Sequence, residues 1–263
     1  MLIKPKKSLG QNFLIDKNII RYIADIAEIN ENDTLLEIGP GTGNLTKQLL
    51  LKRPKKIIVV EKDKNLSKEL KNNFDNQIQI LNEDILKIDE EILSKEKMIF
   101  FGNLPYNISS QILIKWIKLK NLNSICKKLI LMFQKEVADR IISKFNNQNY
   151  SRISILSSWR LEIKKVKEIS PNSFYPKPKV KSCLLLLEPK KDFFNFKNPK
   201  NLEYITKIFF NQRRKMINKP MSQLFKDINY VSKKLNINLN DRPQNLDPLT
   251  YFKLCKEYEN KLN

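Results

Sequence analysis

The stretch Thr34-Leu-Leu-Glu-Ile-Gly-Pro-Gly-Thr-Gly-Asn-Leu45 runs from an apolar strand through a glycine turn into a helix. A turn of this kind lies at the carboxyl edge of a parallel sheet, where open sheets bind ligands. All five glycines of the chain fall in three short segments, namely Gly10, Gly39 to Gly43, and Gly102. Glycine is retained where φ is positive or a ligand approaches the backbone closely. These three segments therefore indicate the position of the working site.

Similar apolar runs follow along the chain and alternate with stretches of helical periodicity, which predicts an α/β fold with a doubly wound parallel sheet of about seven strands. We expect a helix from Gln134 through Lys144. We expect a domain of residues 1–188 and a small all-helical domain of residues 189–263, with helices at 204–210, 230–235 and from about Pro248. The predicted strands are residues 34–38, 56–60, 78–81, 98–101, 129–133, 153–166 and 182–187.

Composition narrows the class of function. The net charge is +21 and the pI is near 9.7, which favours a polyanionic partner, nucleic acid before membrane. No membrane span or signal peptide is apparent, so a cytoplasmic location is expected. The three cysteines are far apart in the sequence, and histidine is absent. Disulfides, zinc clusters, imidazole bases and Ser-His triads are therefore not expected, and we expect no bound metal.

The first candidate site is a cofactor pocket formed by strand ends. The spacing Gly-x-Gly-x-Gly differs from the dinucleotide fingerprint and favours a nucleoside without phosphates. Glu61 ends the second strand and could accept from two ribose hydroxyls. At the third strand end, Asp84 could accept from an adenine amino group and the Ile85 amide could donate to the ring. Each acidic residue alone could equally be a solvated strand end, but three consecutive strands ending in this way favour a pocket.

This pattern looks like the S-adenosylmethionine-binding fold of class I methyltransferases, a Rossmann-like fold. The resemblance puts Glu37 near the methionine end of the cofactor. It makes Gly39 and Gly41 part of the turn that leaves room for the cofactor.

The second candidate site is Asn103-Leu104-Pro105-Tyr106, directly after the fourth strand. An adenine amino nitrogen is a poor nucleophile because its lone pair is delocalised into the ring. The Asn103 side-chain oxygen and the Leu104 carbonyl could accept both amino protons and favour a pyramidal nitrogen. Pro105 constrains the turn, and Tyr106 offers a face for stacking. Phe174 could cover the other face of the base; equally, it could be a core residue of a proline-rich edge connection.

The chain resembles the rRNA adenine N6-dimethyltransferase family, in particular its small-subunit (16S) branch linked to kasugamycin sensitivity. The motifs are Leu-Gly-Gln-Asn-Phe-Leu at 9–14, Asn-Leu-Pro-Tyr, Phe-Asn-Gln-Arg-Arg-Lys at 210–215 and Arg-Pro-Gln-Asn-Leu at 242–246. The resemblance implies that Asn12 and Leu14 fold over the cofactor and that Asn103 also contacts it. Pro243 departs from the small residue usual there, without bearing on catalysis.

The family resemblance implies an S-adenosylmethionine-dependent enzyme that acts in ribosome biogenesis. It would dimethylate N6 of two adjacent adenines in a hairpin near the 3′ end of small-subunit rRNA. The partner would be an assembling 30S particle, and we expect a monomer. Two alternatives remain open: another adenine methyltransferase, of large-subunit rRNA (the macrolide-resistance type) or of DNA, or a non-catalytic RNA-binding assembly factor. The candidate phosphate contacts are Lys4, Lys6, Lys7, Lys177, Lys179, Arg213, Arg214 and Lys215.

Overall fold

The computed structural model of the chain describes residues 5–6 and 9–261. Its strands are β1 (Phe13–Leu14), β2 (Thr34–Ile38), β3 (Lys56–Val60), β4 (Gln79–Leu81), β5 (Met98–Asn103), β6 (Cys126–Gln134), β7 (Leu161–Ile169), β8 (Phe174–Tyr175) and β9 (Ser182–Pro189). Its α-helices are α1 (Lys17–Asp25), α2 (Asn44–Leu50), α3 (Lys64–Phe74), α4 (Ser109–Ile117), α5 (Leu122–Ile125), α6 (Lys135–Ile141), α7 (Arg152–Arg160), α8 (Lys200–Phe210), α9 (Asn218–Leu224), α10 (Ile228–Leu235) and α11 (Pro248–Lys261).

The main sheet has seven strands in the order β4-β3-β2-β5-β6-β9-β7. Strands β4, β3, β2, β5 and β6 are parallel, and β9 is antiparallel to β6. The strand order reverses between β2 and β5, so the loops after these two strands diverge and leave a crevice at their carboxyl ends. The predicted α/β class with about seven strands in the main sheet is confirmed, but the sheet is mixed rather than wholly parallel because β9 is antiparallel to β6. A second sheet pairs β1 with β8.

The core explains why these segments form a doubly covered sheet. All five residues of β2 are buried, as are the last four of β3, which matches the near-continuous apolar runs expected of strands covered on both faces. Helices α1 and α2 pack on this sheet through residues such as Ile23 and Leu49. The sheet therefore gives the strand ends a rigid base.

The prediction of strand over residues 153–166 is wrong for residues 153–160. The structure has helix α7 up to Arg160 and strand β7 only from Leu161. At the helix start the Ser154 hydroxyl oxygen accepts from the Ser151 amide at 3.0 Å, a reciprocal capping contact. Ile155 and Trp159, four positions apart, are both buried. The many apolar residues in this segment are compatible with the repeat of a strand and with that of a helix. The capping contact and the burial at four-residue spacing favour the helix.

The chain divides into two compact units. The first comprises the described residues up to Ala138 together with Glu162–Pro189, and it contains both sheets except for Leu161, the first residue of β7. The second comprises Asp139–Leu161 and the described residues from Lys190 onward, so it includes α7 and the helices from α8 to α11. The boundary expected after Glu188 lies one residue before Pro189, where the second segment of the first unit ends. Residues Asp139–Leu161, however, belong to the same unit as the later helices. None of the helices in the described ranges is both long and apolar enough to cross a membrane.

Candidate active site

A cavity of about 160 Å³ lies at the carboxyl ends of β2 to β5. Its wall is formed by the N-terminal segment, the glycine turn, the ends of β3 and β4, and the segment after β5. Every residue that the sequence proposed for cofactor binding lines this one cavity: Asn12, Leu14, Glu37, Gly39, Gly41, Glu61, Asp84, Ile85 and Asn103.

The glycine turn shapes one side of the cavity. Gly39 has φ +64°, and its amide donates to the carbonyl of Val60 at 2.9 Å. A Cβ built on Gly39 would have only the Asn103 carbonyl oxygen near it, at 3.9 Å, so it would extend into open space. Gly41 has φ +59°, and a Cβ there would lie 2.7 Å from Cδ1 of Phe13. Gly39 thus keeps space clear, whereas Gly41 admits the Phe13 ring.

Glu61 is buried at the end of β3, where its two oxygens accept from backbone amides. Oε1 accepts from Asp63 at 2.8 Å and Oε2 from Gly41 at 3.2 Å. Burial raises the pKa of Glu61, and these hydrogen bonds counter that effect in part. A carboxylate has about four acceptor sites, so each oxygen retains capacity for a hydroxyl donor in the cavity.

Asp84 lies after β4 and is held from two sides. Its Oδ2 accepts from Lys62 Nζ at 2.9 Å, and its Oδ1 accepts from the Leu86 amide at 3.0 Å. The pKa of Asp84 is lowered. Burial by itself would raise this pKa, but the hydrogen bonds from Lys62 and Leu86 outweigh the effect of burial. The carboxylate is therefore charged at neutral pH and fixed in direction. The next residue, Ile85, is buried in the cavity wall.

Glu37, at the floor of the cavity, is the most enclosed of the acidic groups. Its side chain is buried, and Oε2 accepts from the Thr46 hydroxyl at 2.7 Å. Burial raises the pKa of Glu37 to about 7, and the nearby Glu61 charge adds to the rise. A cationic ligand would favour its ionised form.

Residues 9–14 form what we call the N-terminal strap, which covers part of the cavity. Asp63 anchors it: the Gln11 side-chain amide donates to Oδ2 at 3.1 Å, and Lys6 Nζ, just before the strap, lies 2.9 Å from the same carboxylate. Farther along, the Leu14 carbonyl accepts from Asn44 Nδ2 at 2.9 Å. Strand β1 of the strap pairs with β8. The strap is therefore attached at several points along its length.

The strap also contacts the Asn-Leu-Pro-Tyr segment. Asn103, the last residue of β5, donates from Nδ2 to the Asn12 carbonyl at 2.7 Å. The Tyr106 hydroxyl shares a 2.6 Å hydrogen bond with Ser182 of β9, which fixes the ring. Pro105 lines the cavity together with Asn103, whereas Leu104 is buried and, like Tyr106, lies outside the cavity wall.

The structure does not bring Phe174 to the cavity. Its side chain is 3% exposed, lies in the core cluster and belongs to β8, where it pairs with Leu14. The neighbouring Tyr175 is 57% exposed. The proposed contact of Phe174 with the target ring stays a prediction, and in this conformation Phe174 supports the strap.

The predicted phosphate contacts differ in their surroundings. Lys177 and Lys179 are exposed between β8 and β9, and Arg214 and Lys215 are exposed after α8. Lys6 is instead paired with Asp63. Arg213 donates to the carbonyls of Asn147 and Gln148 within the second unit, at 3.3 and 2.5 Å. Lys4 and Lys7 lie outside the described residues.

Sequence reasoning missed three residues that organise the cavity, namely Asp63, Gln11 and Asn44. Asp63 precedes α3 and caps it by accepting from the Asn65 amide at 3.0 Å. An aspartate directly before a helix is a recognisable cap signal, but its contacts with the strap join segments far apart in the sequence. Asn44 opens α2, and its contact with Leu14 is equally long-range.

Comparison with known proteins places this geometry among rRNA-modifying enzymes. The profile of the ribosomal RNA adenine dimethylase family matches residues 3–260. A Pelagibacter ubique protein named ribosomal RNA small subunit methyltransferase A is 58% identical over 98% of this chain and 98% of its own length. The crystal structure of a Plasmodium falciparum dimethyladenosine transferase has a TM-score of 0.81 at 29% identity, covering 95% of this chain and 98% of that one. The 23S rRNA methyltransferase ErmE shares the fold, with a TM-score of 0.69 at 22% identity over 94% of this chain and 99% of that one.

Proposed function

The chain belongs to the ribosomal RNA adenine dimethylase family, and from this premise we propose that its cavity binds S-adenosylmethionine and serves N6-dimethylation of adenines in small-subunit rRNA. The observation that carries the proposal is the convergence of the strand-end acceptors Glu61 and Asp84 with Asn103 on one cavity. The target is two adjacent adenines in a hairpin near the 3′ end of that rRNA, within an assembling 30S particle. The enzyme acts as a cytoplasmic monomer.

The residues of the cavity fit this cofactor. Gly39 leaves open space where any other residue would place a Cβ, so a ligand can approach the backbone. Glu61 retains acceptor capacity for the two ribose hydroxyls, and Asp84 presents a charged, fixed carboxylate for the adenine amino group. Glu37 lines the cavity just before the glycine turn. Its negative charge would favour binding of the cationic methionine end of the cofactor.

Asn103 is the proposed catalytic acceptor for the target amine. Its Nδ2 is engaged by the Asn12 carbonyl, so Oδ1 is the end that remains for a substrate N–H. With the Leu104 carbonyl, Oδ1 would hold both protons of the adenine N6 and favour a pyramidal nitrogen. Tyr106, its hydroxyl fixed by Ser182, offers a ring face for the base, and the base must be unstacked to reach it.

When bound, S-adenosylmethionine supplies a sulfonium-activated methyl group. The protein's part is positioning and electrostatics, which requires no histidine, and the chain contains none. For the second transfer the amine carries one methyl and one proton, so only one of the two acceptors is then needed. The released amine proton passes to water.

Mass spectrometry of rRNA tests this function. The full chain is incubated with isotopically labelled S-adenosylmethionine and small-subunit particles that lack the modification, with large-subunit particles as the matched control. Labelled dimethyladenine at two adjacent positions of the small-subunit rRNA is expected. Label in large-subunit rRNA alone, or cofactor binding without transfer to either particle, contradicts the proposal.

A further inference from the structure

Lys115 reaches from α4 to the turn that follows β4. Its Nζ donates to the Ile85 carbonyl at 2.7 Å, to the Ile88 carbonyl, and to Oε1 of Glu90 at 2.7 Å. An ammonium group has three donors, and these contacts use all of them. The side chain therefore ties three points of residues 85–90 to the helix that begins beside Asn-Leu-Pro-Tyr.

Glu90 holds Lys115 in place. Its side chain is fully buried, and Oε1 also accepts from the indole N–H of Trp116 at 2.7 Å. Burying a charged pair is costly, and apolar side chains of similar volume often stabilise a protein as well or better. A contribution to stability is therefore a weak explanation for this pair. Its position beside the Asp84–Leu86 segment suggests a role in the cavity instead.

A single peptide unit links Lys115 to the cavity. The carbonyl that Lys115 binds belongs to the peptide between Ile85 and Leu86. The N–H of the same peptide donates to Oδ1 of Asp84 at 3.0 Å. Because a trans peptide is planar, with its oxygen and hydrogen on opposite sides, fixing the oxygen fixes the direction of the N–H. The orientation of the Asp84 carboxylate is thus set from α4.

We infer that Lys115 is a positioning residue that sets the selectivity of the cavity for an adenine base, acting through the Ile85–Leu86 peptide on Asp84. This inference rests on the proposed function, because it takes the base of the cofactor to lie against Asp84. The discriminating feature of adenine is its amino group, which donates to a carboxylate. Hypoxanthine has a carbonyl at that position and would face the fixed charge of Asp84.

The test is isothermal titration calorimetry of the full chain with S-adenosylhomocysteine and with S-inosylhomocysteine. The wild type binds the adenosyl compound more tightly, by about tenfold or more, since a site built for a hydrogen bond rejects an analogue that lacks it. Lys115→Met combined with Glu90→Gln removes the tie without leaving a buried charge unpaired. We expect this double variant to lose most of the selectivity, through weaker binding of the adenosyl compound.

Lys55→Met with Glu96→Gln is the matched control, since this exposed pair at 2.6 Å lies on the same unit away from the cavity. Its selectivity stays at the wild-type value. Asp84→Ala provides a second check: in that background the Lys115/Glu90 changes no longer alter selectivity. A folded Lys115/Glu90 variant with wild-type selectivity overturns the inference, whether or not its thermal stability falls. A wild type that binds neither compound refutes the proposed function instead.

Discussion

The side-chain amide of Asn103 donates to the main-chain carbonyl of Asn12 at 2.7 Å, across 91 positions of the chain. The two ends of an asparagine amide differ, since one donates and the other accepts. Because Asn12 engages Nδ2, Oδ1 is the end of Asn103 that the proposed function assigns to the substrate amine. The strap that lines the cavity therefore also orients the residue proposed to hold the target amine.

Replacing Asn103 should separate binding from transfer. Asn103→Ala removes the acceptor for the adenine amine, so methyl transfer should fall by about 10²- to 10³-fold, while calorimetric affinity for the cofactor changes far less. Asn121→Ala is a suitable control because, within the described part of the chain, this exposed amide donates only to Glu91, at 3.1 Å. Near-normal turnover in Asn103→Ala would defeat the assigned role.

Two glycine substitutions should differ in a defined way. Gly39→Ala and Gly41→Ala both place alanine at φ near +60°, which costs about 1–2 kcal/mol. Only Gly41→Ala adds a contact at 2.7 Å with Phe13, so its free energy of unfolding should fall further, by about 1–3 kcal/mol. Gly39→Ala should instead lower the affinity for the cofactor, because the added methyl group would occupy space in the cavity that the cofactor is proposed to fill. Equal unfolding energies by chemical denaturation would show that Phe13 moves aside freely.

Removing the charge of Glu61 should weaken cofactor binding. In Glu61→Gln one oxygen still accepts from a backbone amide, but the other is replaced by a donor that cannot accept from a ribose hydroxyl. A hydrogen bond to a charged group contributes about 1.5–3 kcal/mol, so we expect the dissociation constant to rise by about 10- to 100-fold. Glu96→Gln, on the exposed side of the same unit, is the control, and an unchanged affinity in Glu61→Gln would rule out the ribose contact.

Stability without cofactor should depend on pH through Glu37. Burial raises the pKa of Glu37 from its ordinary value of 4.5 to about 7, so the folded state binds the proton more tightly than the unfolded state. The resulting stabilisation is complete below pH 4.5 and is lost as pH rises through about 7. Relative to Glu37→Gln, the wild type should lose up to about 3 kcal/mol over this range. A constant difference between the two unfolding energies from pH 4.5 to 8 would exclude this titration.

The salt dependence of rRNA affinity should distinguish the exposed Lys177 and Lys179 from Lys6, which is paired with Asp63. If Lys177 and Lys179 contact phosphates, replacing each by Ala should reduce the slope of log affinity for rRNA against log salt by about 0.7–0.9. Lys6→Ala should leave that slope unchanged, because Lys6 is paired with Asp63, and should weaken cofactor binding through the strap. Filter binding over a salt series measures the first effect and calorimetry the second. The opposite pattern would assign Lys6 to RNA.

The sequence supported the fold and the composition of the cavity because both depend on local signals. Apolar runs identify the strands, and the polar residues that end parallel strands must meet at one edge of the sheet. Strand ends place Glu61 and Asp84 at this edge, and both line the cavity. The family and the α/β class are confirmed, whereas the roles of individual site residues stay predictions.

What escaped prediction depends on contacts between distant segments. Nothing in the local sequence distinguishes Lys6, paired with Asp63, from the exposed Lys177, since both are lysines near prolines in a basic chain. From the local sequence Phe174 fits a ring-stacking residue and a core residue equally well, and its burial beside Leu14 is visible only in the structure. Residues 153–160 formed a helix because burial at four-residue spacing outweighed their β-branched content.

The pairing of β1 with β8 has a consequence for the order in which the protein forms. Leu14 precedes the six strands from β2 to β7 in the chain, whereas its partner Phe174 is synthesised only after all six. Contacts of such wide sequence separation carry a large loop-closure cost and form late. During translation the crevice at the strand ends therefore forms well before the strap that lines it, and a nascent chain that has not reached β8 cannot yet pair β1 with β8.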